Sequence, residues 1–383
     1  SAWTSARLSL SSTAVPCLNS MAFKKKRDIL LISFFLFSAV FLALRADGWG
    51  AGKKAVRIGY FHGGRTHLFF RAYINGYFEK EQADLLLITK ALRKDELYEV
   101  PKTYAEFTAR EQKEKHFGRM TGTEIVDEME KGNLDGGTIG EASFIEAIAK
   151  GKPIVAVAAL GHDTKEKPGH AFVLRKGLVV KKPSDLKGKT FTSRRSGPVD
   201  AILTREFILS EGLKLSDVKI IDNMYDDELY ERFADGTVDG GYHHLHWVRK
   251  FVKNGVGYVY RKLDWVNPEA SLAVLVFNRD FLKENKEAVQ NIVNGYVKRI
   301  RHEHGLTEAE SRKPKEFGLQ MVNNDVEGMN IPQYDLPPVI RPELLSLIQD
   351  LMLKHGFIKK KADIERFIDR GFVDTAMKGP AAN

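Results

Sequence analysis

GNLDGGTIGEASFIEAIAKG, residues 132–151, and GTVDGGYHHLHWVRKFVKNG, residues 236–255, are the two stretches on which the reading of this chain turns. Gly132, Asp135, Gly136, Gly137 and Gly151 of the first match Gly236, Asp239, Gly240, Gly241 and Gly255 of the second, each displaced by 104 positions. The order of elements repeats as well. A helix stops at a glycine, a short strand runs into a Gly-Gly break, and a second helix stops at a second glycine before a buried strand. A lone DGG triplet is a common turn signal. Five matches in register, helix stops included, imply two lobes built alike.

The surrounding chain fits that plan. From Ala55 onward strand-like and helix-like segments alternate, the pattern of an α/β fold. AVRIGYF (55–61) alternates as a strand does and breaks at His62-Gly63-Gly64-Arg65-Thr66-His67, before an aromatic-rich helix near Leu68. LLLIT (85–89) is a second strand. The charged stretch 90–118 reads as a solvated excursion with its own helix, and no chemistry is assigned to it. Thr121 and Glu124 have the spacing of a capping box for a helix with Ile125, Val126 and Met129 on one face.

Composition narrows the function. A chain of 383 residues, 43% hydrophobic, accommodates roughly two domains. Cys17 is the only cysteine, which excludes a disulfide scaffold within the chain and a zinc site of several thiolates. The net charge of +9 is spread and interleaved with acids, without the single basic stripe that tracking a nucleic acid requires. Part of the excess is local: Lys24, Lys25, Lys26 and Arg27 precede ILLISFFLFSAVFLAL (29–44), which reads as an export signal. That run is short of the roughly 20 residues of a membrane span, and residues 43–46 make a poor cleavage site, so a retained anchor stays open. No cysteine follows it, which excludes a lipoprotein anchor. Residues 1–20 read as an upstream segment and 21–54 as signal and linker.

Two loops carry the chemistry. In TFTSRRSGPVDAIL (190–203) a strand ends near Ser193, and Pro198 opens a helix buried through Val199, Ile202, Leu203 and Phe207 and ended by Gly212. Free amides at a helix start, Ser196 and the adjacent Arg194 and Arg195 suit an anion. The plainer reading makes both arginines solvated surface charges. In the first half, the glycines of His62-Gly63-Gly64-Arg65 permit close approach to a ligand. By the repeat, His243 and His244 stand where the first half has Ile139 and Gly140, at a strand end where α/β sheets bind ligands. Three readings of the histidines compete: ligand contact beside Tyr242, packing of His246 among Leu245, Trp247 and Val248, and metal chelation.

RIGYFHGG (57–64), residues 132–160, PSDLKGKTF with its continuation to Asp222, GTVDGGY (236–242) and ASLAVLVFNRDFLKEN (270–285) together resemble the periplasmic solute-binding proteins of ABC importers. The resemblance is to those that bind nitrate, taurine, alkanesulfonates or thiamine-precursor pyrimidines, and covers about residues 55–300. It implies a type 2 periplasmic-binding-protein fold, two Rossmann-like lobes joined by two crossing strands at 171–175 and 273–277. Lobe 1 would be 55–172 with 275–383, its C-terminal helices packing back on it, and lobe 2 would be 173–274. The length of the 90–118 insertion and the sequence HHLH depart from the family pattern.

The ligand would lie in the cleft. His62, Gly63, Gly64 and Arg65 would face it from the first turn and Thr138 and Ile139 from the first break. Ser193, Arg194, Arg195 and Ser196 would face it from the anion loop, and Tyr242, His243 and His244 from the second break. The implied function is capture of a small anionic solute outside the cytoplasm by a monomer that needs no cofactor and delivers it to a membrane permease. The alternative is a flat pyrimidine, bound between aromatic faces or processed as in the pyrimidine synthases of the same fold. Their cysteine-rich motif is absent here, and no Ser-His-Asp order is present, so the chain reads as a binder rather than an enzyme.

Overall fold

The computed structural model describes residues 55–61, 64–91, 94–114, 120–164, 168–194, 198–262, 272–307 and 332–379; the expected export segment lies outside them. The chain begins with β1 (Val56–Tyr60), α1 (His67–Ile74), β2 (Leu85–Lys90), β3 (Leu97–Glu99), α2 (Tyr104–Lys113), α3 (Gly122–Glu130), β4 (Gly136–Gly140), α4 (Glu141–Ala149) and β5 (Ile154–His162). It continues through β6 (His170–Arg175), β7 (Thr190–Arg194), α5 (Pro198–Ser210), β8 (Lys219–Met224), α6 (Asp226–Ala234), β9 (Gly240–His244), α7 (Leu245–Lys253) and β10 (Gly257–Lys262). It returns in β11 (Leu272–Asn278) and ends in α8 (Arg279–Glu284), α9 (Lys286–His304), α10 (Pro342–Lys354) and α11 (Gly371–Lys378).

The strands form two sheets, ordered β3-β2-β1-β4-β11-β5 and β10-β6-β9-β7-β8. Read from the other edge, the second sheet is β8-β7-β9-β6-β10, and it matches β2-β1-β4-β11-β5 strand for strand. Directions match too: β1 is parallel to β2 and β4 as β7 is to β8 and β9, while β11 runs antiparallel to β4 and β5 as β6 does to β9 and β10. Only β3 is extra. The duplication seen in two short stretches therefore extends to whole sheets, and the two-lobed α/β fold expected from the sequence is present.

The repeat also holds residue by residue. Both β4–α4 and β9–α7 run five strand residues directly into nine helical ones, displaced by the same 104 positions. The helix stops carry matching left-handed backbones, φ +74° at Gly132 against +80° at Gly236, and +76° at Gly151 against +64° at Gly255. The break itself differs from expectation. Gly136-Gly137 and Gly240-Gly241 lie inside their strands, and each helix begins only after Gly140 or His244. The glycine pairs serve close packing instead: a Cβ on Gly137 would fall 2.2 Å from Ile125, and one on Gly241 2.4 Å from the carbonyl of Thr192.

The segments 171–175 and 273–277 lie within β6 and β11, and each pairs within one sheet. The chain passes to the second sheet between β5 and β6 and returns between β10 and β11. Helices α9 and α11 share an apolar core with β1, α1 and β11, built on Phe69, Phe277, Ile292, Tyr296 and Val373. Residues 90–118 contain β3 and α2, and they bury a small core of their own, Tyr98 and Phe107 with Ala91. Lys90, also buried, donates to Glu128 at 2.9 Å.

The capping box of α3 is formed. Glu124 N donates to Thr121 Oγ1 at 3.2 Å, and Thr121 N donates to Glu124 Oε2 at 2.8 Å. Thr121→Ala removes one half of this reciprocal pair and should cost about 1 kcal/mol in urea denaturation.

Candidate functional site

The strand ends of both halves meet around a set of buried charged groups. From the first half come Arg65, in the turn of helix Gly64–Thr66, and Glu141, the first residue of α4. Both are buried and joined as an ion pair through Arg65 Nη1 and Glu141 Oε2. Gly140 lies beside this guanidinium, where a Cβ would touch Arg65 Nη2 at 3.4 Å. Burial raises the Glu141 carboxyl above its ordinary range, and the charge of Arg65 opposes the shift.

From the second half come β6, β7, β9 and α5. His170, which opens β6, is paired in register with His244 at the end of β9, and their rings lie 3.9 Å apart. His170 Nδ1 is hydrogen-bonded to Asp163 Oδ2, both groups buried, a contact that spans the passage between the sheets. Arg194, the last residue of β7, donates from Nε to Oδ2 of Asp200, in the first turn of α5, at 2.8 Å. Oδ1 of Asp200 faces His244 Nε2 at 3.7 Å, so His170, Asp200 and His244 converge. Enclosure in this wall, reinforced by the neighbouring His170 and by the guanidiniums of Arg194 and Arg65, holds the His244 imidazole well below its usual pKa.

The residues singled out from the sequence fall into three groups. Arg65, Arg194 and His244 are brought together in this wall. Ser193 lies beside it, donating to Asp222 at 2.9 Å, and Tyr242 stacks under His170 with ring centroids 5.7 Å apart. Arg194 is not the solvated or free charge that either reading of the sequence allowed: it is buried against Asp200. Thr138, Ile139 and His243 are buried within the strands and the core. Thr138 Oγ1 accepts from Phe61 N at 3.1 Å, and Ile139 is fully buried in the apolar core. His243 meets Phe233 and Phe251 edge-on at 5.8 and 5.4 Å, where burial, then the charge of Arg194, keeps it neutral. Gly64 opens its short helix, while His62, Gly63, Arg195 and Ser196 lie outside the described residues.

Four residues of this wall were not anticipated: Glu141, Asp163, His170 and Asp200. Asp200 was the most accessible, because an acid in the first turn of a helix that follows two arginines is positioned to neutralise one of them. His170 carries no local signal. It enters through the antiparallel register of β6 with β9.

Residues 121–299 match the protein family described as NMT1/THI5 like. No curated protein sequence matches the chain. Among solved structures, the chain is similar to the alkanesulfonate-binding protein SsuA from Xanthomonas axonopodis pv. citri, bound to MOPS, with a TM-score of 0.61 and 13% identity over 84% of this chain and 100% of that one. The periplasmic nitrate-binding protein NrtA from Synechocystis PCC 6803 aligns with a TM-score of 0.59 and 13% identity, over 84% of this chain and 88% of that one. The desulfurization enzyme DSZB has the same fold, with a TM-score of 0.57 and 11% identity over 84% of this chain and 98% of that one. At these identities the likeness is one of fold, the two-lobed fold of periplasmic binding proteins.

Proposed function

We propose that this protein is the extracytoplasmic solute-binding component of an ABC importer. It captures a small solute with an anionic group between its two sheets and presents it to a membrane permease. The observation that carries the reading is the wall itself: polar groups from the strand ends of two like sheets, Arg65 and Glu141 on one side and His170, Arg194 and His244 on the other, all buried but the partly exposed His244. The sulfonate- and nitrate-binding proteins of the same fold support it. The lobes on this reading are the two sheets with their helices, divided between β5 and β6 and between β10 and β11. A solute favours their closed arrangement by as much free energy as its contacts with both lobes supply.

Arg194 supports the anionic group. Its Nη2 is buried with no hydrogen-bond partner among the described residues, and it stands next to the first turn of α5, where helix amides favour negative charge. In sequence His62 and Gly63 follow β1, and Arg195 and Ser196 follow β7.

Calorimetry with sulfonates, carboxylates, nitrate and pyrimidines, with recovered ligand checked by mass spectrometry, tests the proposal. One anion should bind and be recovered unchanged. Arg194→Lys keeps a cation beside Asp200 but loses the guanidinium donors, and should weaken that binding about tenfold, roughly 1.4 kcal/mol. Undiminished affinity would remove the anion from this site, and a consumed ligand would place the chain with the enzymes of this fold.

A further inference from the structure

We propose that His170, His244 and Asp200 form a binding site for one divalent transition-metal cation, of the kind that takes imidazole and carboxylate together. The inference does not rest on the importer reading.

The first ground is convergence. One ligand atom from each of the three side chains lies within 4.8 Å of the other two. A tetrahedral zinc ion, with bonds of about 2.0–2.2 Å, holds its ligand atoms about 3.4 Å apart, so the His244–Asp200 pair at 3.7 Å is nearly in place and no separation would have to close by more than about 1.4 Å.

The second ground is what these atoms lack. His170 Nε2 and Asp200 Oδ1 are buried and have no hydrogen-bond partner among the described residues. His244 Nε2 stands 3.7 Å from Asp200 Oδ1, too long for a hydrogen bond. Buried polar atoms without partners are costly. In the tautomer that donates from Nδ1 to Asp163, His170 presents the Nε2 lone pair on the side of Asp200, which is the form a metal ligand takes. Lone pairs then face lone pairs, and a cation satisfies them together.

The third ground is support from behind. His170 Nδ1 is held by Asp163 and Asp200 Oδ2 by Arg194 Nε, in each case leaving the other polar atom of the side chain, Nε2 or Oδ1, without a partner among the described residues. A carboxylate behind a histidine fixes its tautomer and orientation and raises its basicity as a ligand. The cationic neighbours Arg65 and Arg194 oppose metal binding, but each is already paired with a buried carboxylate in the wall. Two imidazoles and one carboxylate favour zinc, cobalt, nickel or copper over magnesium and calcium. His244 is partly exposed, which leaves a side of the site open to water or to an anionic oxygen.

The test uses the purified full chain, stripped with a chelator and titrated with zinc chloride alone, without any solute. One equivalent should bind, read by calorimetry and by native mass spectrometry. Cobalt should give visible absorption bands that zinc displaces. Asp200→Asn, which keeps an oxygen for Arg194, and His244→Ala should each weaken binding by more than the ~10–100-fold that loss of an outer partner costs. His302→Ala, at an exposed position on α9, should change nothing. Circular dichroism shows whether each variant is folded. Absence of stoichiometric binding by the folded wild type, or unchanged affinity in both folded ligand variants, would overturn the site. Because the titration contains no solute, its failure is separate from failure of the importer reading.

Discussion

Asp200→Ala is expected to lower the stability of the metal-free protein by about 3–5 kcal/mol, measured by urea denaturation in the presence of a chelator. Asp200 is fully buried, and Arg194, which it holds at 2.8 Å, is only 6% exposed. Deleting the carboxylate leaves a guanidinium out of water without its counter-charge. Truncation to alanine also opens a cavity in the first turn of α5. Two comparisons isolate the electrostatic part. Asp200→Asn keeps a hydrogen-bond acceptor and should cost less, and Asp200→Ala combined with Arg194→Met should recover much of the loss, since no buried charge remains. A loss under about 1 kcal/mol for Asp200→Ala alone would mean that the Arg194 charge reaches water.

The second large effect is steric. Gly241→Ala should destabilise by about 3 kcal/mol or more, and by more than Gly137→Ala at the matching position of the other half. A Cβ on Gly241 would lie 2.4 Å from the backbone oxygen of Thr192 on the neighbouring strand β7, so two paired strands must separate. At Gly137 the nearer contact, 2.2 Å, is to a side-chain methyl of Ile125, which has a rotamer to change. Thermal unfolding of the two variants side by side checks the order. Equal, small shifts would show that both strands tolerate the methyl, and that the shared glycines are not set by packing.

The sequence disclosed most of the fold because its signals are local. Helix stops, a capping box and strand-like alternation are each written within a dozen residues, and the interval between Gly136 and Gly240 tied them into two like halves. The Gly-Gly pairs misled because glycine marks both turns and tight packing. Their strands run on to Gly140 and His244, and what the missing Cβ avoids is Ile125 in one half and β7 in the other. The candidate site was legible in part. Arg65, Arg194 and His244 stand at strand ends, which a repeat locates. His170 and Asp163 reach the site through β6–β9 pairing and the passage from β5 to β6, relations between distant segments that no local pattern records. The partners of Arg194 and Arg65 were missed for a related reason: burial turns an arginine from a free hook into half of a pair, and burial belongs to the folded chain.

The placing of β11 sets the order in which this chain can fold as it is synthesised. All five strands of the second sheet lie within residues 170–262, in one unbroken stretch. The first sheet instead has β11 wedged between β4 and β5, and among the described strands β5 pairs with no other. Its amides at Ala159 and His162 are taken by Pro338 and Gln333, which come later still. Until residue 278 has emerged, β4 and β5 have no strand to bridge the roughly 10 Å between them, and the apolar run IVAVAAL has bare edges on both sides. The second sheet is thus complete while the first, though begun earlier, is still open. Any factor that guards this protein against aggregation during synthesis or export has that interval to cover.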